Sequence, residues 1–181
     1  RLGPLGYTNL AGVGGEKFAA SGNAGMLDIV AALEWIRDNI ENFGGDPGNV
    51  TIMGQSGGGA KVCLLTAMPS AEGLFHKAVV LSGASIRAAE KDYTEKLGSY
   101  VLKEAGLAPA QIGKLQEMPW KDYYAVATKA QQKLAAEMPP GGMMRRGFSP
   151  FVDGVILPQH PYVPEAAPTA TKVPMIICST L

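Results

Sequence analysis

The sequence has no excess of charge of either sign. Sixteen Lys and Arg stand against sixteen Asp and Glu, the formal net charge is zero, and no single-sign run exceeds Arg145-Arg146. A nucleic-acid ligand calls for a basic stripe and a polybasic membrane contact for a cluster of Lys and Arg, so neither partner class is expected. Cysteine is nearly absent. Cys63 and Cys178 lie far apart without C-x-x-C or Cys/His spacing, which excludes a zinc site and a disulfide framework. Both are expected as buried thiols. No metal or cofactor is expected, and the partner left is a small molecule. No apolar run approaches the roughly 20 residues needed to span a bilayer, and the start shows no charged region leading into an apolar one, so no membrane segment is expected in this chain. An initial methionine is lacking too: the chain opens on Arg1-Leu2. It closes on the apolar run Val173 to Leu181, which reads as a strand covered on both faces, central in a parallel sheet. The chain is expected to be a central part of a single longer domain.

What is present is apolar content, 46% hydrophobic against 18% charged, enough for a globular core. Asn23 is placed to cap a helix in which Leu27, Val30, Leu33, Ile36 and Ile40 recur at helical spacing. Phe43-Gly44-Gly45-Asp46-Pro47-Gly48 ends it as a turn cluster, and Val50 to Met53 supply the β-formers of a short buried strand. Ala60 to Met68 are too long and too rich in Ala and Leu for a strand and predict a helix that Pro69 stops. Ala78 to Gly83 predict a second strand, so strands alternate with helices as in parallel βαβ units. Two helices in succession, one around Tyr93, Leu97, Val101 and Glu104 with Gly106 as its stop, the other from Trp120 to Met138 before Pro139-Pro140-Gly141-Gly142, read as a helical insertion. Phe151 to Pro158 read as a hairpin or turn, and Met175 to Ser179 as a last strand.

Four glycines crowd one serine in Gly54-Gln55-Ser56-Gly57-Gly58-Gly59, between the first strand and the helix after it. Gly54 to Gly58 match G-x-S-x-G in the strand-turn-helix setting of the α/β-hydrolase nucleophile elbow. Such a turn is sharp enough that glycines are expected two before and two after the serine, with Ser56 itself strained and its Oγ projecting above the sheet. The helix beneath it offers unpaired N–H groups to a developing oxyanion, Gly57 N–H first. A Gly-rich loop can instead hold a phosphate, but G-x-x-x-x-G-K-[ST] is absent and Lys61 is not followed by a hydroxyl.

The remaining motifs resemble one family, the type-B carboxylesterases, which include cholinesterases, juvenile-hormone esterases and bacterial nitrobenzyl esterases. The resemblance covers nearly the whole chain. Arg1-Leu2-Gly3-Pro4-Leu5-Gly6-Tyr7 is similar to the family's N-x-R-x-x-x-x-G-[FY]. Gly25-Met26-Leu27-Asp28, Ala32-Leu33-Glu34-Trp35-Ile36 and Asn39-Ile40 resemble N-x-G-L-x-D-Q-x-x-A-L-x-W-V-x-x-N-I, with Ile29 in place of the Gln. Phe43 to Pro47, Val50-Thr51, Gly73 to Ala78, Leu81-Ser82-Gly83, Phe151 to Gly154, Leu157-Pro158 and Val173-Pro174 match later markers. The family's usual G-E-S-A-G-G appears with Gln55 for the glutamate and Gly57 for the alanine; Gly57 keeps the backbone N–H that an oxyanion hole uses.

The resemblance implies an α/β-hydrolase fold, here partial: a mostly parallel sheet with flanking helices and a helical insertion. It also implies a serine carboxylesterase acting on a small carboxylic ester through an acyl-serine intermediate, with Ser56 as nucleophile and Gly57 in the oxyanion hole. In these hydrolases the triad follows the order Ser, acid, His. The family's acid comes shortly after the strand resembling Val173 to Thr180 and its histidine much later, so both are expected beyond Leu181, and the other oxyanion glycines before Arg1. His76 is accordingly expected as a structural or surface residue and His160 as a solvated loop residue. Asp28, Asp46 and Asp153 are expected as caps and turn formers. The alternative is a cholinesterase-like adhesion or scaffold domain that has kept the fold and lost catalysis.

Overall fold

The computed structural model describes residues 1–138 and 147–180. The Pro139 to Gly142 stop signal and Arg145-Arg146 lie outside the described residues. The longer elements, in chain order, are α1 (Ala24–Asn39), β1 (Thr51–Gln55), α2 (Gly57–Leu65), β2 (Lys77–Leu81), α3 (Lys91–Glu104), α4 (Trp120–Glu137) and β3 (Met175–Cys178), joined by short helical turns and loops. They fall into two compact units: Arg1–Gly25 with Ala89–Phe151, and Met26–Ala88 with Val152–Leu181.

The first unit is helical. Tyr93, Leu97 and Val101 of α3 recur four residues apart, and Tyr123, Ala127, Ala130 and Leu134 of α4 follow the same period, so each helix carries one apolar stripe. Those stripes, with Leu10, Phe18, Ile112 and Leu115, form the unit's core. Asp92 and Asp122 sit in the first turns of α3 and α4 and Lys103 in the last turn of α3, each favourable to the helix dipole. Gly106, at φ +69°, ends α3 with its N–H on the Lys103 carbonyl at 3.0 Å. Asn23 stands in the 3-10 turn before α1, and its amide also grips a distant backbone: Nδ2 donates to the Phe151 carbonyl at 3.0 Å and Oδ1 accepts from the Phe151 N–H at 3.1 Å. Both residues are 1% exposed, so this pairing satisfies polar groups that burial would otherwise leave costly. Phe151 adds only an isolated parallel bridge to Ala89.

The second unit is built on a parallel sheet in the order β1-β2-β3. Ile52 aligns with Ala78 and Met175, and Gly54 with Val80 and Ile177. On this side Val62 and Cys63 of α2 pack against Ala78 and Val80, with Ile52, Val173 and Met175 at the margin. The opposite row differs from expectation. Met53 is 70% exposed and Ile176 61%, and Ile177 on the first row is 58% exposed, so β1 is half-buried and β3 lies at an edge among the described residues. The reason is one-sided cover: α2 shields one face at β1 and β2, and side chains alternate between faces. Cys178 is exposed for the same cause, against the expectation of a buried thiol, whereas Cys63 is buried and its thiol is pushed up from the usual value by that burial.

The segment 151–158 forms a turn rather than a hairpin. Asp153 and Gly154 donate their N–H groups to the Leu157 carbonyl at 3.2 and 3.3 Å, and Asp153 Oδ1 accepts from Val155 and Leu157. Asp46 likewise accepts from the Gly48 N–H at 2.8 Å. Both aspartates thus act as turn formers. No helix among the described residues is long and apolar enough to cross a membrane.

Candidate active site

Ser56 stands where β1 ends and α2 begins, exposed, with φ 52° and ψ −118°. Among the described residues only Ser56 and Ser82 are non-glycines at positive φ. Such a conformation costs about 1–3 kcal/mol and persists where neighbours over-determine it. Here they do. The Ser56 N–H donates to the Leu81 carbonyl at 2.8 Å, continuing the β1-β2 ladder, and the Ser56 carbonyl accepts the first helical bond, from Ala60 at 3.0 Å. Strand and helix pull the same residue from both sides.

The glycines around it separate into two kinds. A Cβ on Gly54 would lie 2.3 Å from the Gly58 carbonyl carbon and 2.7 Å from the Gly59 nitrogen, and one on Gly59 would lie 3.0 Å from the Gly54 carbonyl oxygen. Gly58 has nothing within 4 Å, and Gly57 meets only Lys61 Nζ at 4.0 Å. The expectation of glycine two residues after the serine is therefore corrected: strand and helix backbones close on one another at Gly54 and Gly59, and Gly58 faces outward. A further glycine had no local signal. A Cβ on Gly83, just past β2, would fall 2.0 Å from the Ser56 carbonyl oxygen. Parallel register brings it there, since Gln55 aligns with Leu81. Ser82 turns the chain toward this contact at φ 47°, and its N–H donates to the Cys178 carbonyl at 2.7 Å.

The N–H groups of Gly57, Gly58 and Gly59 precede the first helical bond and lie at the positive end of the α2 dipole. Lys61, half-buried one turn on, donates through Nζ to the Gly57 carbonyl at 3.3 Å, and desolvation lowers its pKa below the ordinary lysine value. An anion arising beside Ser56 would meet helix N–H groups and a nearby ammonium.

The histidines lie elsewhere. His76 accepts the Val50 N–H on Nδ1 at 3.2 Å, at the start of β1. The five residues of β1 lie between Val50 and Ser56, which puts them about 20 Å apart along the strand. His160 is half-buried, not a solvated loop residue: Nδ1 accepts the Ala88 N–H at 3.2 Å and Nε2 lies 3.1 Å from Arg87 Nη2. Its ring cross-links two loops whose proximity no local pattern announces.

A family model described as "Carboxylesterase family" matches residues 1–181. The para-nitrobenzyl esterase of Bacillus subtilis (strain 168) is 38% identical over 180 residues, 99% of this chain and 35% of that protein. Neuroligin-2 of Homo sapiens is 34% identical over 163 residues, 90% of this chain and 18% of that protein. Among solved structures, a thermophilic PNB esterase aligns at 36% identity with a TM-score of 0.86, over 99% of this chain and 35% of that one. The chain thus spans about a third of the length of the esterases it matches. Its parallel sheet with flanking helices is part of an α/β-hydrolase fold. Motifs, fold and a match over residues 1–181 agree, and the chain belongs to the carboxylesterase family.

Proposed function

We propose that the protein carrying this chain hydrolyses small carboxylic esters through an acyl-serine intermediate on Ser56. The observation that carries this reading is Ser56 itself, an exposed hydroxyl residue held at φ 52° between a strand end and a helix N-terminus. Ser56 Oγ attacks the acyl carbon while its proton passes to a histidine base, and the carbonyl electron pair moves onto oxygen as an oxyanion. Gly57 N–H donates to that oxyanion. Collapse breaks the acyl-oxygen bond, the base returns its proton to the departing alcohol, and water repeats the sequence to free the acid. On this reading the base, its acid and the partner oxyanion donors are supplied by residues outside 1–181.

Fluorophosphonate labelling of the full-length protein, followed by peptide mass spectrometry, tests the nucleophile. Ser56 is expected to carry the label stoichiometrically. Label on Ser82 or Ser85 instead, or none in a preparation that hydrolyses nitrophenyl esters, rules the assignment out. The chain is also 34% identical to neuroligin-2 over 163 residues, and the second reading is a scaffold that has kept the fold and lost catalysis. That reading predicts neither label nor turnover.

The histidine placement gives a separate result. His76→Asn and His160→Asn in the full-length protein are expected to keep kcat within about tenfold, because loss of a triad base costs several orders of magnitude and loss of a structural ring does not. A drop of about 10⁴-fold at either position, with the melting curve unchanged, would place the base inside this chain.

A further inference from the structure

Three glycines in succession open α2, and packing requires only the last. Gly59 is closed in by the Gly54 carbonyl oxygen, Val80 and Gly83, at 3.0, 3.1 and 3.2 Å from its would-be Cβ, while Gly57 and Gly58 have room for a side chain. Glycine in a helix is the most freely moving residue, so the segment whose N–H groups face an oxyanion is softer than its surroundings demand. One side chain reaches back to it. Lys61 Nζ donates to the Gly57 carbonyl at 3.3 Å. Tying that carbonyl orients the Gly57–Gly58 peptide unit, which carries the Gly58 N–H, and restrains ψ of Gly57, the hinge between it and the preceding unit that carries the Gly57 N–H.

The charge is as informative as the bond. A cation near a helix N-terminus opposes the helix dipole, and α2 has no acidic residue in its first turn to offset it. Half-burial adds a desolvation cost that holds the Lys61 pKa below its usual value. An ammonium kept there against both effects suits a site where negative charge develops.

We infer that Lys61 is a positioning residue for the Ser56 corner, its ammonium anchoring the Gly57 carbonyl so that the glycine-rich helix start holds its N–H groups toward the oxyanion, with its positive charge strengthening that site. This rests on the esterase reading, and the experiment separates the two. Wild-type, Lys61→Met, Lys61→Gln and Lys61→Arg forms of the full-length protein are compared in fluorophosphonate labelling, nitrophenyl acetate hydrolysis and inhibition by phenylboronic acid, which forms a tetrahedral anion on a nucleophilic serine. Labelling of wild-type Ser56 comes first, and its absence overturns the esterase reading itself. Given labelling, kcat is expected to fall about tenfold in both neutral variants with KM within about twofold, and phenylboronic acid to bind more weakly by the same factor. Arginine, which can donate to the same carbonyl and keeps the charge, is expected to restore most of both losses. A purely structural lysine would lower the melting temperature without this split between kcat and KM. Neutral variants whose kcat and boronate affinity stay within about twofold of wild type, or an arginine variant no better than methionine, would overturn the role. Two neutral side chains of different polarity guard against one of them failing to fold.

Discussion

Ser56→Ala in the full-length protein is expected to lower kcat by about 10⁴ to 10⁶-fold while leaving the fold intact, since removing a serine nucleophile leaves only binding and oxyanion stabilisation. Alanine has the same Cβ and keeps both backbone bonds, its N–H donating to the Leu81 carbonyl and its carbonyl accepting the Ala60 N–H, so the loss is chemical. Ser56→Gly adds a second readout. At φ 52° and ψ −118° glycine escapes a strain of about 1–3 kcal/mol and gives back about 0.5–1 kcal/mol in backbone entropy. The glycine variant is therefore expected to be more stable than the alanine variant by about 1 kcal/mol, and equally inactive. Urea unfolding and nitrophenyl-ester turnover measure the two effects. An alanine variant within tenfold of wild type would remove Ser56 from the chemistry, and a glycine variant less stable than alanine would show that the corner is not strained.

The glycines give the second large effect. Gly83→Ala puts a methyl 2.0 Å from the Ser56 carbonyl oxygen and 2.8 Å from its carbon, and Gly54→Ala puts one 2.3 Å from the Gly58 carbonyl carbon. The obstructing atoms are backbone, so nothing flexible can swing away. Either the sheet and α2 part or the corner moves, at a cost of more than about 4 kcal/mol. Both variants are expected to be insoluble or to melt far below wild type, with activity lost. Gly58→Ala is the contrast. With nothing within 4 Å it is expected to stabilise the helix by up to about 1 kcal/mol and to keep kcat within about tenfold. Thermal melts and turnover on the four proteins settle it. A Gly83→Ala variant that melts and turns over like wild type would mean that β2 does not approach Ser56 this closely.

Elements were legible wherever one residue's neighbours in sequence are also its neighbours in space. The apolar spacing from Leu27 onward marked α1, the Tyr93, Leu97 and Val101 period marked α3, and Gly106 marked its end. The run around Thr51 to Met53 and the run around Ala78 to Leu81 marked two strands, and their alternation with helices implied the parallel pairing that the sheet has. The serine between a strand and a helix was legible in the same way, because a sharp backbone turn leaves its glycines in the sequence beside it.

Contacts between distant segments left no such mark. Gly83 is under Ser56 only because β2 lies beside β1 with Leu81 opposite Gln55. Asn23 reads as a helix cap, and its amide reaches Phe151 across 128 positions. His160 reads as a loop residue because the Ala88 and Arg87 groups it meets are 72 and 73 positions away. The apolar composition of Met175 to Cys178 says that the strand can be buried on either face, but not which neighbours cover it, and among the described residues Ile176, Ile177 and Cys178 are exposed on both faces. Periodicity encodes which side chains share a face of one element. Which elements meet, in which register, and therefore which glycine must be a glycine, is decided by long-range packing that no local pattern contains.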